Sequence, residues 1–181
     1  MVCVLLGSGF EEAEALVPAD LLRRAGVEVA LVALQGTEVT GGHGITVKAD
    51  ISLDQVDPGS IEMIFLPGGL GGVEAISSCP QALELIRHLY ADGRYVAAIC
   101  AAPTILAKLG LLAGKRAVCY PGMEAQMSNA ILQNSTPIVT DGILVTGEAA
   151  GSAFSFGLKL VELLKGPSIS EKIRESVHYH G

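Results

Sequence analysis

The residues best placed for chemistry are a cysteine and a glutamate. Ala97-Ala98-Ile99-Cys100-Ala101-Ala102-Pro103 reads as a strand running into Cys100 and a helix leaving it, with small residues on both sides of the turn. A nucleophile at a strand-to-helix elbow sits on a strained backbone, and bulky neighbours would clash there. Pro103 suits a first helical turn, where no N–H is needed. Free N–H groups and a helix dipole at that point would favour thiolate over thiol. The alternative is that Cys100 is a small packing residue at an apolar strand end, a common fate of free cysteine. Glu14 is the matching carboxyl. Four residues later, Pro18 cannot donate to its carbonyl, so the helix is disturbed there. If Glu14 points inward, desolvation raises its pKa, and a neutral acid beside an anionic sulfur forms an acid/base pair. Glu11 and Glu12 are explained by the positive end of the same helix alone.

The other candidates are weaker. Cys3 lies in a first apolar strand, Cys79 precedes Pro80 at a loop or helix start, and Cys119 ends a short strand with nothing nearby to activate it. No CxxC pair occurs and no cysteine stands at zinc spacing from a histidine, so no metal site is expected. None of His43, His88, His178 and His180 is placed by the sequence as a base for Cys100, which leaves a Cys–His dyad poorly supported. Pro67-Gly68-Gly69-Leu70-Gly71-Gly72 fails the dinucleotide fingerprint, with Glu74 where the last glycine belongs, and has no Walker lysine. Gly68-Gly69 instead offers bare backbone N–H groups at a strand end, suited to an anion or a developing oxyanion.

These residues need a frame. The chain has 181 residues, half of them apolar and 17% charged, with a net charge of −7; mean hydropathy is +0.48. That composition excludes a disordered chain and suits one domain over residues 1–181. Its acidity and lack of Trp argue against nucleic acid and anionic membrane partners. No apolar run reaches the ~18 residues a membrane helix needs. The N-terminus opens directly into Val2–Leu6 with no basic region before it, so no signal peptide is expected and the cytoplasm, with reduced thiols, is the default. Strands are expected at Val2–Leu6, Val27–Leu34, Ile61–Leu66, Tyr95–Ile99 and Ala117–Cys119. Helices are expected at Glu11–Ala25, Pro80–Ala91, Pro103–Leu109, Ser152–Lys165 and Ser170–Val177. Val39–Ala49 reads as a glycine-interrupted hairpin, and Ile138–Thr140 and Ile143–Thr146 flank an Asp141-Gly142 turn. Strand–helix alternation with apolar strands predicts a doubly wound, mostly parallel sheet with helices on both faces. Ligands then bind beyond the carboxyl ends of its strands.

The ordered set Glu11-Glu12-Ala13-Glu14 with Pro18, Arg23-Arg24-Ala25-Gly26, Leu66-Pro67-Gly68-Gly69 and Ala97-Ala98-Ile99-Cys100-Ala101-Ala102-Pro103-Thr104 resembles the ThiJ/PfpI superfamily, in its deglycase branch. The likeness runs through Gly151-Ser152 and the helix after it, so it covers nearly the whole chain. It implies a flavodoxin-like α/β sandwich and a homodimer. It implies Cys100 as nucleophile, Glu14 as the protonated carboxyl bonded to it, and the Gly69 and Ala101 N–H groups as an oxyanion hole, with Gly68, Tyr120 and Glu148 lining the site. The implied activity is cofactor-free glyoxalase or deglycase chemistry on glyoxal, methylglyoxal or glycated protein. A redox-sensing chaperone whose cysteine is oxidised to sulfinate is a second reading, and a peptidase-like hydrolase a third. Two positions depart from the pattern: Tyr120 stands where some members carry histidine, and Glu148 where arginine or glutamine is usual.

Overall fold

In the computed structural model, which describes residues 1–133 and 136–181, apolar runs become strands wherever they are short and flanked by turn residues. In chain order the elements are β1 (Val2–Leu6), α1 (Glu12–Arg24), β2 (Val29–Ala33), β3 (Glu38–Thr40), β4 (Thr46–Lys48), β5 (Ile51–Ser52), β6 (Met63–Leu66), α2 (Leu70–Ser77), α3 (Pro80–Ala91), β7 (Tyr95–Ile99), α4 (Pro103–Lys108), β8 (Arg116–Ala117), β9 (Ile131–Leu132), β10 (Ile138–Asp141), β11 (Leu144–Gly147), α5 (Ala153–Lys165) and α6 (Pro167–Ser176).

The central sheet has seven strands in the order β10-β11-β7-β6-β1-β2-β5. All neighbours are parallel except β10 against β11. The pleat sorts the side chains onto two faces. Val2, Val4 and Leu6 of β1, with Ala97 and Ile99 of β7, pack under α1 and α5. Cys3 and Leu5, with Val96 and Ala98, pack under α2, α3 and α4. Apolar residues on both faces are why these strands read as continuous runs rather than alternating ones. The expected flavodoxin-like arrangement is therefore present. Among the described residues no helix is long and apolar enough to cross a membrane.

Three details differ from the sequence expectation. Leu70–Ser77 is a helix, although Leu-Gly-Gly is a poor helix start. Its glycines let the helix lie directly on the Ser8–Phe10 turn, since a Cβ on Gly72 would sit 2.8 Å from the Phe10 Cα. The strand expected at Ala117–Cys119 is Arg116–Ala117, paired with the unforeseen β9. The hairpin turn is centred one residue later than Asp141-Gly142: Asp141 pairs with Leu144, leaving Gly142-Ile143 as the loop, with Gly142 at φ 63° in its first position. Only that position needs the left-handed region in a type II′ turn.

The chain runs from β1 to β2 on one side and returns to β6 on the other. Between β1 and β6 the winding reverses, opening a crevice at the carboxyl ends of the strands. Residues 7–12, 67–70 and 100–103 all emerge there.

Candidate functional site

Cys100 follows β7 with φ 66°, a left-handed conformation rare for a side chain with a Cβ. Strain of this kind costs about 1–3 kcal/mol and persists only when the surroundings over-determine it. Here they do. The Cys100 N–H donates to Gly147 O at 2.9 Å, Tyr120 N–H donates to Cys100 O at 2.7 Å, and the Thr104 hydroxyl fastens the elbow by donating to Ala101 O at 2.7 Å. Cys100 is partly exposed, as Cys79 is, whereas Cys3 and Cys119 are buried.

Glu14 comes from the first turn of α1 and is 1% exposed. Gly68 N–H donates to its Oε2 at 2.8 Å. Among the described residues no hydrogen-bond partner reaches Oε1, and the Cys100 side chain is the titratable group that acts on the carboxyl most directly. Burial raises the Glu14 pKa to about 7, against the lowering effect of the Cys100 and Gly68 hydrogen bonds, and the nearby Glu11 charge adds to the rise. Glu14 points inward, as the sequence reading expected, and its raised pKa leaves it partly protonated near neutral pH.

The thiol corrects the sequence expectation, in which free N–H groups and a helix dipole favoured thiolate. Burial comes first, then the charge of an ionised Glu14, and together they push Cys100 up to about 12, while the N–H groups of Ala101 and Gly69 pull it down. The helix behind it, α4, has only six residues, so its dipole lowers the thiol little. The repulsion from Glu14 acts only when Glu14 has lost its proton. The two groups therefore titrate as a pair, and the proton that Glu14 keeps is what relieves the sulfur.

Gly68 and Gly69 make the close approach possible. A Cβ on Gly68 would strike Glu14 Oε2 and lie 2.7 Å from the Cys100 Cβ. Gly69 has φ 85°, and a Cβ there would lie 2.5 Å from Glu11 N. Of the residues singled out from sequence, Cys100, Glu14, Gly68, Gly69 and Ala101 are brought together. Tyr120 and Glu148 adjoin through the main chain: Tyr120 by its bond to Cys100 O, with its side chain 48% exposed, and Glu148 as the residue after Gly147.

The sequence reading missed Gly147 and Thr104 as supports of the elbow, and it missed a second cluster. Glu12, explained above by the dipole alone, is 5% exposed and accepts from His43 N–H at 2.8 Å, His43 Nδ1 at 2.9 Å and Ile45 N–H at 3.3 Å. Burial opposes its charge, but these hydrogen bonds prevail and hold it down at about 2. His43 Nδ1 also lies 3.4 Å from Glu11 Oε2, and its pKa is raised, chiefly by the Glu12 hydrogen bond. Glu11, Glu12 and His43 could together offer three ligand atoms to a cation. As it stands, each of Glu12's oxygens already accepts from a hairpin donor.

A mostly parallel sheet with helices on both faces and a left-handed cysteine at the switch-point crevice defines the flavodoxin-like class with a nucleophile-type elbow. Comparison with known proteins narrows the class. Residues 1–163 match the DJ-1/PfpI family. Drosophila melanogaster dj-1beta is 40% identical over 174 residues, covering 95% of this chain and 91% of that protein. Its crystal structure superposes with a TM-score of 0.96 at 36% identity, over 99% of this chain and 98% of the other. A deglycase of Pyrococcus abyssi is 32% identical over 165 residues, covering 91% of this chain and 99% of that protein. A structure of oxidized Toxoplasma gondii DJ-1 superposes with a TM-score of 0.94 at 32% identity, over 99% of this chain and 98% of the other. The chain belongs to the DJ-1/PfpI family, as its motifs implied.

Proposed function

We propose that this chain is a cysteine-dependent, cofactor-free glyoxalase or deglycase acting on methylglyoxal, glyoxal or their protein adducts. The observation that carries the proposal is a buried carboxyl with a raised pKa set against the thiol of a left-handed elbow. The deglycase named among its relatives points the same way.

In this reading the Cys100 thiolate, its proton lost to solvent and its charge relieved by protonated Glu14, attacks the aldehyde carbon, breaking the C=O π bond and forming the S–C bond of a hemithioacetal. The carbonyl oxygen, held by the Gly69 and Ala101 N–H groups, takes the Glu14 proton. The resulting Glu14 carboxylate removes the hydrogen on the attacked carbon and returns it to the adjacent carbonyl carbon. Oxidation of one carbon and reduction of its neighbour balance, so no external redox partner is needed. Water then cleaves the thioester, releasing the hydroxy acid and the thiol. With a glycated amine, the proton goes to the leaving nitrogen instead. Cys100→Ser is expected to abolish methylglyoxal consumption, and an unaffected rate would reject the reading. Glu14→Gln should fold and lose about 10²–10⁴-fold in rate, the usual share of a general acid–base.

A second reading, redox sensing with or without holdase activity, uses the same sulfur. It is favoured by the partial exposure of Cys100, shared by Cys79 but not by the buried Cys3 and Cys119, and by the oxidized state in which a relative was solved. Mild peroxide should then take Cys100 to sulfinate first, seen as a two-oxygen mass gain on its peptide. Oxidation of Cys3, Cys79 or Cys119 with Cys100 still reduced would end that reading. A peptidase is disfavoured, because His43 engages Glu12 and Glu11 and tyrosine occupies position 120. A cytoplasmic homodimer is proposed on family grounds, with a small dicarbonyl or a glycated protein as partner.

A further inference from the structure

Glu12 is a buried carboxylate that the chemistry above leaves unused. All three of its donors come from residues 43–45, in the β3–β4 hairpin. This hairpin forms its own two-stranded sheet, outside the central one. Two further bonds tie it to the segment between β1 and α1: Gly9 N–H donates to Thr40 O, and Gly42 N–H donates to Phe10 O, both at 2.8 Å. Gly41 packs so closely on the Glu12 carboxyl that a Cβ there would overlap it. The hairpin thus grips residues 9–12 from one side.

The other side of that segment is the bed of the site. Glu11 N–H donates to Gly68 O at 2.9 Å, and the Gly69 Cα lies so near Gly9 O, Phe10 C and Glu11 N that no side chain fits. Gly68 N–H reaches Glu14, and Gly69 N–H acts on the Cys100 sulfur. A path of direct contacts therefore runs from the Glu12 carboxylate, through the hairpin and the Gly9–Glu11 backbone, to the two amides that serve Glu14 and Cys100.

We propose that Glu12 is a positioning residue for the Cys100 site: by clamping the β3–β4 hairpin to the start of α1, it fixes Gly9–Glu11 and, through them, the direction of the Gly68 and Gly69 N–H groups. Glu12 acts through backbone and does not touch the sulfur. The inference deepens the functional reading and rests on its pairing of Cys100 with Glu14, but it does not depend on which carbonyl is turned over.

The test reads the site without substrate. Alkylation of Cys100 by iodoacetamide is followed on its own peptide by mass spectrometry across a pH series, and amide exchange at Gly68 and Gly69 is followed by NMR. Glu12→Ala removes every acceptor at once and should lower the Cys100 alkylation rate several-fold at each pH below the midpoint, the sign of an upward shift. It should also speed exchange at Gly68 and Gly69 ahead of the central strands. Glu12→Gln keeps an oxygen for the two main-chain donors and should restore most of both. An unchanged midpoint with wild-type exchange at Gly68 and Gly69 overturns the proposal. So does an unchanged midpoint with exchange accelerated evenly over the sheet, the mark of a merely stabilising residue. If Glu12→Ala does not fold, His43→Ala carries the test: it keeps the main-chain donors, loses the ring, and should give a smaller shift of the same sign, with no shift overturning the proposal. Wild-type protein that fails to consume methylglyoxal, while the Glu12→Ala shift is intact, sinks the glyoxalase reading and leaves this one standing.

Discussion

At the scale of single residues, the site is governed by where one proton resides. Glu14 has a raised pKa in the folded chain, from 4.5 to about 7, so folding favours its protonated form. The sign follows from linkage: its contribution to stability is complete below about pH 4.5 and is lost as pH rises through about 7. At 1.36 kcal/mol per pKa unit the loss amounts to about 3 kcal/mol, since the group is almost fully buried. Urea unfolding of the wild type should therefore show stability falling between pH 5 and 8, and Glu14→Gln, with no proton to lose, should give a flatter profile. Equal slopes for the two proteins would show that Glu14 ionises normally. Glu12 has the opposite sign. Its pKa is held down at about 2, so the stability it contributes is present above about pH 4.5 and disappears toward pH 2.

At the scale of elements, the site depends on the loop after β6 lying against both α1 and the β7 elbow. Gly68→Ala tests this, because its Cβ would press on the Glu14 carboxyl and on the Cys100 Cβ at 2.7 Å. Glu14 is held by burial and by the Gly68 hydrogen bond, and the Cys100 Cβ is fixed to the elbow, so overpacking should cost about 1–3 kcal/mol. Methylglyoxal consumption should fall more than folding does, with denaturant melts and initial rates measured on the same preparation. The elements themselves differ in how legible they are in the sequence. β1, β6 and β7 announce themselves as short apolar runs because both faces are covered, and the Cys100 elbow shows through its small residues. Glu14 can be picked out because Pro18, four residues on, has no N–H to give its carbonyl, although α1 runs unbroken through both positions and the disturbance expected there is absent. α2 is hidden, since Leu-Gly-Gly has weak helical preference and the helix exists because its glycines fit the Ser8–Phe10 turn. The Glu12–His43 pair is hidden for another reason: 31 residues separate the partners, and only the folded hairpin brings them together. Local pattern reports propensity and periodicity, whereas these features arise from the meeting of distant segments.

At the scale of the whole molecule, the high apolar content does not speak for a dimer, because a sheet covered on both faces uses it. Large apolar side chains that remain exposed, Ile45, Leu70, Ile131 and Phe154 among them, lie on separate elements, and Phe154 stacks on Tyr179 with centroids 5.5 Å apart. The proposed homodimer therefore rests on family membership, and Cys100 and Glu14 both come from the same chain, from the β7 elbow and α1. These two points give a sharp expectation. Sedimentation at micromolar concentration should report about twice the 18.7 kDa chain mass, and the melting temperature should rise with protein concentration, because association stabilises only the folded chain. Cys100 alkylation per chain should stay constant as the protein is diluted through its dissociation range. A monomer at every concentration would remove the dimer from the account and leave the chemistry of Cys100 untouched. Alkylation that changes on dilution would show instead that a second copy shapes the site.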